Sequence, residues 1–310
     1  MNKRIAGLLL AIALLLPLAP AALADGYAAD AALPELNGLS NEPTAVFYLD
    51  GVPLEGVAAE SFGGTYYVAL ASILPALDPA CVTEEDAERA MVTGQAVVVT
   101  ETPPTEEFPE GQAVAEVLDT LTMTAVKGEH YVTANGRCLY VEDGVRTVSG
   151  MTAIPVRTLA QILAMNVNYD AASGQVFLSS PLTPGYLADA EAYYDADSLY
   201  WLSRIIYCES GNQSLEGKIA VGNVVMNRVR DGSFPNTVHD VIFQKNQFSP
   251  AASGSIYREP NEESVLAAKL VLDGAKSLNN VLFFNRAGMD CYASRNRSYV
   301  ATIGEHAFYA

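Results

Sequence analysis

The sequence predicts a multidomain chain in which small α+β units precede a mainly helical domain. Three observations carry this reading. Charge is divided unevenly: residues 25–180 hold 5 Lys+Arg against 22 Asp+Glu, a balance of −17, whereas residues 181–310 hold 11 against 14, a balance of −3. Two stretches of the acidic part alternate apolar and polar residues around an Asp-Gly or Asn-Gly pair and then run into helical periodicity, which signals a hairpin followed by a helix. Past residue 198 the pattern changes to apolar helices with capping residues before them and Gly after them.

Residues 1–24 read as a secretory signal. Lys3 and Arg4 supply the positive start, residues 5–16 the apolar run, and Ala22-Leu23-Ala24 a small-x-small cleavage site before Asp25. The competing reading is an uncleaved membrane anchor. No later stretch has the ~20 apolar residues of a membrane span, so the mature protein is expected outside the cytoplasmic membrane, secreted or wall-associated. Half of all residues are hydrophobic, which excludes a disordered chain. The net charge of −18 excludes nucleic acid as a partner, because phosphates would be repelled. It equally disfavours electrostatic capture by an anionic wall or membrane. The four cysteines, Cys81, Cys138, Cys208 and Cys291, are too few and scattered for a disulfide framework. With only His130, His239 and His306 beside them, no zinc spacing is present, and no metal or cofactor is expected.

Taken in order, residues 25–43 are an Ala-rich tether with Gly and Pro. The first α+β unit, 44–100, has a hairpin in "AVFYLDGVPLEG" (45–56), a helix in "GGTYYVALASILPALDP" (63–79) and a strand in "AVVVT" (96–100). A linker, 101–121, is marked by the Pro-, Glu- and Thr-rich "TETPPTEEFPEGQ" (100–112). The second unit, 122–180, repeats the plan. It has a hairpin in "HYVTANGRCLYVEDG" (130–144), a helical pattern in "GMTAIPVRTLAQILAMNVNYD" (150–170) and a closing strand in "GQVFLSS" (174–180). In that helix Val156, Leu159, Ile162 and Leu163 share one face. A second linker, 181–197, follows the break "SSPLTPG" (179–185).

The last region, 198–310, opens with the helix "SLYWLSRIIYCES" (198–210), for which Ser198 is the expected N-cap. Leu199, Leu202, Ile205 and Ile206 form its apolar stripe, and Glu209 falls close to that stripe at the helix end. The next helix, "SLEGKIAVGNVVMNRVRDG" (214–232), is capped by Ser214 and apolar nearly all round, hence central. Asn223 and Asn227 lie i,i+4 on it and are expected to hydrogen-bond a neighbouring loop. A third helix, "NEESVLAAKLVLDG" (261–274), runs from Asn261 to Gly274. "NVLFFNR" (280–286) reads as a buried strand or turn, and the tail "RNRSYVATIGEHAFYA" (295–310) has no clear period.

The chemistry centres on "YCESGNQ" (207–213). A carboxyl at the buried end of a helix loses solvation, which raises its pKa and keeps a proton available for glycosidic cleavage. Glu209 fits that description, against the alternative of a solvated helix-end carboxylate. Cys208 is a second candidate, as a nucleophile served by His239 or His306, against the alternative of a buried core thiol. "NQFSP" (246–250) places Gln247 and Phe248 in a loop where an amide and an aromatic can line a sugar site, and Asn285 ends "FFN" in the same style.

Two resemblances follow from these residues. "AIPVRTLAQILAMNVNYDAASGQV", within 122–180, resembles the copper-amine-oxidase N-terminal-like stalk domain of secreted bacterial proteins. It implies spacing or wall attachment, with a possible wall or envelope partner. It implies no copper, since the region offers only His130, Cys81 and Cys138 as ligands. "RIIYCESGNQSLEGKIAVGNVVMNRV", "SFPNTVHDVIFQKNQFSP", "LFFN", and "SR" followed by "IGEHAF", across 198–310, resemble the SleB-type cell-wall hydrolase domain. That resemblance implies a mainly helical lysozyme/lytic-transglycosylase-like domain after the stalk-like α+β units, and a secreted enzyme whose partner is the peptidoglycan glycan strand. It assigns Glu209 as the catalytic acid, with Gln247, Phe248, Asn285 and His306 as substrate-lining candidates and Glu216 as a possible assistant. It also implies that the tail returns toward the catalytic helix, so that a Cys208–Cys291 disulfide becomes conceivable. The domain is expected to fold alone from about residue 190. A non-catalytic wall-binding protein and a cysteine peptidase acting on stem peptides remain as the other function classes.

Overall fold

The computed structural model describes residues 46–102 and 112–310. The signal (1–24), the tether (25–43) and most of the Pro-Glu-Thr break lie outside the described residues.

In the acidic part, β1 (Val46–Leu49) and β2 (Val52–Pro53) form the first hairpin. Asp50 and Gly51 occupy its turn at φ 50° and 82°, the left-handed pair that a tight two-residue hairpin needs. β3 (Ala59–Phe62) and β4 (Thr65–Ala69) lead into α1 (Leu70–Leu77). β5 (Val82–Glu85) and β6 (Arg89–Thr102) follow, and β6 pairs along its length with β7 (Gln112–Val126). β8 (Tyr131–Ala134) and β9 (Arg137–Tyr140) form the Asn-Gly hairpin, with Asn135 and Gly136 again left-handed. β10 (Arg146–Val148), β11 (Met151–Pro155), α2 (Val156–Ile162), β12 (Asn166–Asp170) and β13 (Gln175–Ser179) complete this part.

Three expectations are corrected here. The two α+β units are interleaved rather than separate. β1 of the first pairs in parallel with β13 of the second, β4 pairs antiparallel with β11, and one continuous core runs from Phe47 through Leu74, Val92, Ile154 and Leu178 to Leu187. Pairings between residues more than 80 positions apart leave no local sequence signal, whereas hairpins do. Residues 112–121, read as linker, are strand. Both helical patterns are also shorter than read: Thr65–Ala69 and Met151–Pro155 are buried strands before each helix, because a short apolar run does not distinguish a buried strand from a helix.

The 181–197 linker is likewise packed. Tyr186 and Leu187 are buried. The Tyr186 backbone N–H donates to Asp119 at 2.7 Å, its hydroxyl to Asp78 at 2.7 Å, and Leu187 N–H to Ile162 O at 2.9 Å. A short helix, α3 (Ala190–Tyr193), lies within it.

The C-terminal part packs α4 (Ala196–Ser210), α5 (Leu215–Arg230), α6 (Val238–Phe243), α7 (Ser249–Ser253) and α8 (Glu262–Leu272) around one apolar cluster. A 3₁₀ turn, Ser255–Tyr257, follows α7. α5 is central as expected, and Gly222 lets it approach closely: a Cβ there would meet Val271 Cγ2 at 2.8 Å. The mainly helical expectation holds only in part. β14 (Phe283–Arg286), β15 (Tyr299–Ile303) and β16 (His306–Tyr309) form an antiparallel sheet ordered β14-β16-β15, with α9 (Tyr292–Asn296) beside it. The tail whose period was unreadable supplies two of these strands.

Candidate active site

The site builds outward from α4. Its N-cap is Asp195, whose carboxylate accepts the Ser198 N–H at 2.8 Å, three residues ahead of the predicted Ser198 cap. From there Leu202, Ile205 and Ile206 are fully buried against the core. Glu209, four residues after Ile205, stays on that stripe as the helix reaches its last turn. Its side chain is half-buried, and among the described residues its carboxyl has neither a hydrogen bond nor an ion pair. Burial alone raises its pKa above the ordinary carboxyl value; no neighbouring carboxylate contributes.

The loop after Glu209 is held from two sides. Gln213 Oε1 accepts the backbone N–H of Glu305 at 3.0 Å, which ties the loop to the β15–β16 turn. Gly304 has φ 54°, and a Cβ there would collide with the Gln213 side chain, so the tail's Ile-Gly step requires that glycine. On the other side Lys218, 0 % exposed, donates to Gln213 O and to Glu263 Oε2 at 2.6 Å. Lys218 escaped the sequence reading, since a lysine inside an amphipathic pattern reads as solvated. Asn223 and Asn227 act as expected: their amides donate to Ala275 O at 2.7 Å and Val281 O at 3.0 Å. These bonds fix the loop before β14 against α5.

The other candidates divide. Gln247 is exposed on the loop before α7. Phe248 is 5 % exposed and packs on Phe284 at 6.3 Å with the Arg228 guanidinium 5.2 Å from its ring. It supports the wall from behind and does not present a ring to a sugar, because core burial outcompetes exposure for so large an apolar side chain. His306 sets its ring edge-on to Phe284 at 5.2 Å. Burial lowers its pKa, and its buried Nδ1 has no partner among the described residues. Asn285 is half-buried on β14. Glu216 is exposed in the first turn of α5, where its charge favours the helix start.

Cys208 Sγ donates to Ser255 O at 3.3 Å and ties α4 to the 3₁₀ turn. Burial pushes its thiol pKa up, the wrong direction for a thiolate nucleophile. The Cys208–Cys291 disulfide is not formed: both thiols are free. Cys291 instead caps α9, its sulfur accepting the Ser294 N–H, so the two sulfurs are engaged by different elements.

Arg228 is a further buried cation that sequence reading missed. It donates to Leu282 O at 2.8 Å, and its guanidinium lies 5.0 to 5.4 Å from the Phe234, Phe248 and Phe283 rings. Burial lowers its pKa to about 10. Among the described residues no group of three or more His, Cys, Asp or Glu side chains is placed to hold a metal ion. Cavities of about 440 and 270 Å³ lie in the acidic part and between it and α8, and Glu209 lines neither. A polymer strand calls for an open surface at the acid, not an enclosed pocket.

Residues 212–309 match the family described as Cell Wall Hydrolase, and residues 109–178 match the Copper amine oxidase N-terminal domain. Glu209 lies three residues ahead of the first match. A spore cortex-lytic enzyme of Bacillus cereus is 33 % identical over 118 residues, which cover 37 % of this chain and 45 % of that protein. The Bacillus subtilis spore cortex-lytic enzyme is 32 % identical over 108 residues, covering 34 % and 35 %. The chain thus spans less than half the length of these curated relatives. The solved catalytic domain of the germination-specific lytic transglycosylase SleB from Bacillus anthracis is similar at 31 % identity. That match covers 38 % of this chain and 97 % of that one, with a TM-score of 0.36.

Proposed function

We propose that this chain, whose C-terminal part carries a cell wall hydrolase domain, is a peptidoglycan-cleaving enzyme acting outside the cytoplasm. Its bond is the glycosidic link between N-acetylmuramic acid and N-acetylglucosamine, and Glu209 is its acid. The observation that carries the reading is the half-buried, unpaired Glu209 carboxyl on the apolar stripe of α4. Its raised pKa keeps the proton on the group that must deliver it.

Glu209 donates that proton to the glycosidic oxygen as the muramic C1–O bond breaks, so the leaving glucosamine departs as an alcohol. The muramic C6 hydroxyl attacks the oxocarbenium-like C1 from within the same sugar. The Glu209 carboxylate takes the C6 hydroxyl proton, which closes a 1,6-anhydro ring and restores the acid. This route needs one carboxyl, unlike the flanking pair of ordinary glycosidases, and burial as the sole cause of the Glu209 shift is consistent with a lone acid. The acidic part, through its stalk-like fold, is the candidate contact for a wall or envelope partner.

The test is incubation of the purified chain with peptidoglycan and mass spectrometry of the products. Anhydro-muropeptides are expected. Intact glycan strands would overturn the enzymatic reading in favour of a wall-binding protein, and free stem peptides would favour a peptidase.

A further inference from the structure

The outer face of the three-stranded sheet carries a set of groups that the cleavage chemistry does not use. Phe284 and Phe308 turn into the core, so alternation along β14 puts Phe283 and Asn285 on the opposite face. α9 lies on that face through Ala293, which clusters with Ala307, Tyr309 and Phe283. Tyr292 stands at the start of α9 with 63 % of its surface exposed, its ring 6.4 Å from Phe283. Arg297, at the end of α9, is exposed and rests its guanidinium 4.7 Å from the Phe283 ring and 5.8 Å from the Tyr292 ring.

The charge at this place is uncompensated. Among the described residues Arg297 makes no side-chain hydrogen bond or ion pair, although it is stacked in place. The nearby carboxylate, Asp290, is already taken by both arms of Arg295 at 2.5 and 2.6 Å. Phe283 has a second guanidinium, the buried Arg228, 5.4 Å from its ring, and one Arg228 nitrogen is buried without a partner. The Asn285 amide likewise has no hydrogen-bond partner among the described residues. A guanidinium held against aromatic rings with its fork of N–H groups free is organised to grip a carboxylate. A free amide and an exposed tyrosine beside it suit an acetamido sugar.

We infer that Arg297, Tyr292 and Asn285 form a binding site for a muramic-acid unit carrying a free carboxylate, on its lactyl group or its stem peptide. The inference rests on the peptidoglycan reading above and narrows its substrate class. The site flanks the acid. Arg286 pairs with His306 at the end of the sheet next to the Glu305–Gln213 bond, and Phe283 lies three residues along the strand, about 10 Å away. Strands with muramic-δ-lactam, whose lactyl carboxyl is consumed in the ring, would lose this contact.

The test titrates the full chain with three soluble probes: N-acetylglucosaminyl-N-acetylmuramyl-dipeptide with free carboxylates, its fully amidated form, and the δ-lactam disaccharide. The free acid is expected to bind about tenfold or more tightly than either other probe. Arg297→Met should erase that preference, Arg297→Lys should keep part of it, and Arg295→Met should leave it intact, all with wild-type melting curves. Equal binding of the three probes, no binding at all, or an Arg297→Met chain that still discriminates would overturn the site. Strand cleavage is read separately by mass spectrometry. Cleavage without discrimination removes this site and leaves the proposed function standing; discrimination without cleavage does the reverse.

Discussion

At the scale of single residues, Glu209 governs two observables with a common cause. Glu209→Gln keeps the shape and removes the transferable proton, so glycan cleavage should fall by at least the 10²- to 10⁴-fold typical of a general acid, with circular dichroism unchanged. A variant that turns over normally would refute the assignment. Burial holds the folded-state pKa of Glu209 above its ordinary value of 4.5. Between those two values the native state keeps a proton that the unfolded chain releases, so stability falls as pH rises through the interval. The glutamine variant should therefore melt higher than wild type at pH 7 and match it below about pH 4.5, as differential scanning calorimetry can show. Cleavage by the wild type should decline over the same rise in pH. Cys208→Ser should retain most activity, since a hydroxyl can still donate to Ser255 O, with a stability loss on the order of 1 kcal/mol. A folded but inactive serine variant would restore the peptidase reading. Glu209, Asn223 and Asn227 were legible because helical periodicity alone places them. Phe248 was misread because nothing local reveals that Arg228 and Phe284 close over it.

Among elements, legibility followed the range of the contacts. Ser214, Asn261 and the two Gly-containing hairpin turns act within three or four residues and stand where the sequence puts them. β15 and β16 were invisible because their residues lie on both a core face and a surface face, with aromatics on each side: Phe284 and Phe308 inward, Tyr299 outward at 61 % exposure. The clamp between α5 and α8 was also hidden, and it can be tested. Lys218 is wholly buried while its partner Glu263 is half exposed on its side chain. Removing Glu263 strands a buried ammonium, whereas removing Lys218 leaves a carboxylate that water can reach. Glu263→Ala should thus cost about 2–3 kcal/mol in urea unfolding, and Lys218→Met less. The opposite order would show that the ammonium is solvated.

For the whole molecule, the acidic part and the hydrolase part were expected to be beads on a linker, and the contacts between them overturn that. Arg137 on β9 donates through Nε to Asp273 at 3.0 Å, and Tyr194 donates its hydroxyl to the same carboxylate. The Asp273 side chain is 0 % exposed and that of Arg137 5 %. Cys138 belongs to the apolar cluster of the C-terminal helices, and Lys269 on α8 donates to Gly136 O at 3.1 Å. α8 therefore packs on β9 with one side and on α4, which bears Glu209, with another. A fragment comprising residues 190–310 would leave Asp273 without its arginine and expose that face of α8. It should be less stable than the intact chain and should lose activity on heating at lower temperature. The sharper test keeps the chain whole. Arg137→Ala leaves a buried carboxylate with only Tyr194, and breaking a buried pair at one partner costs about 3–5 kcal/mol. Because that loss falls on the contact between the two parts, calorimetry should resolve the single melting transition of the wild type into two, the earlier belonging to the hydrolase part. The double variant Arg137→Met with Asp273→Leu removes both charges and should recover most of the loss. Two transitions already present in the wild type, or an Arg137→Ala chain that melts as the wild type does, would mean that the parts fold independently.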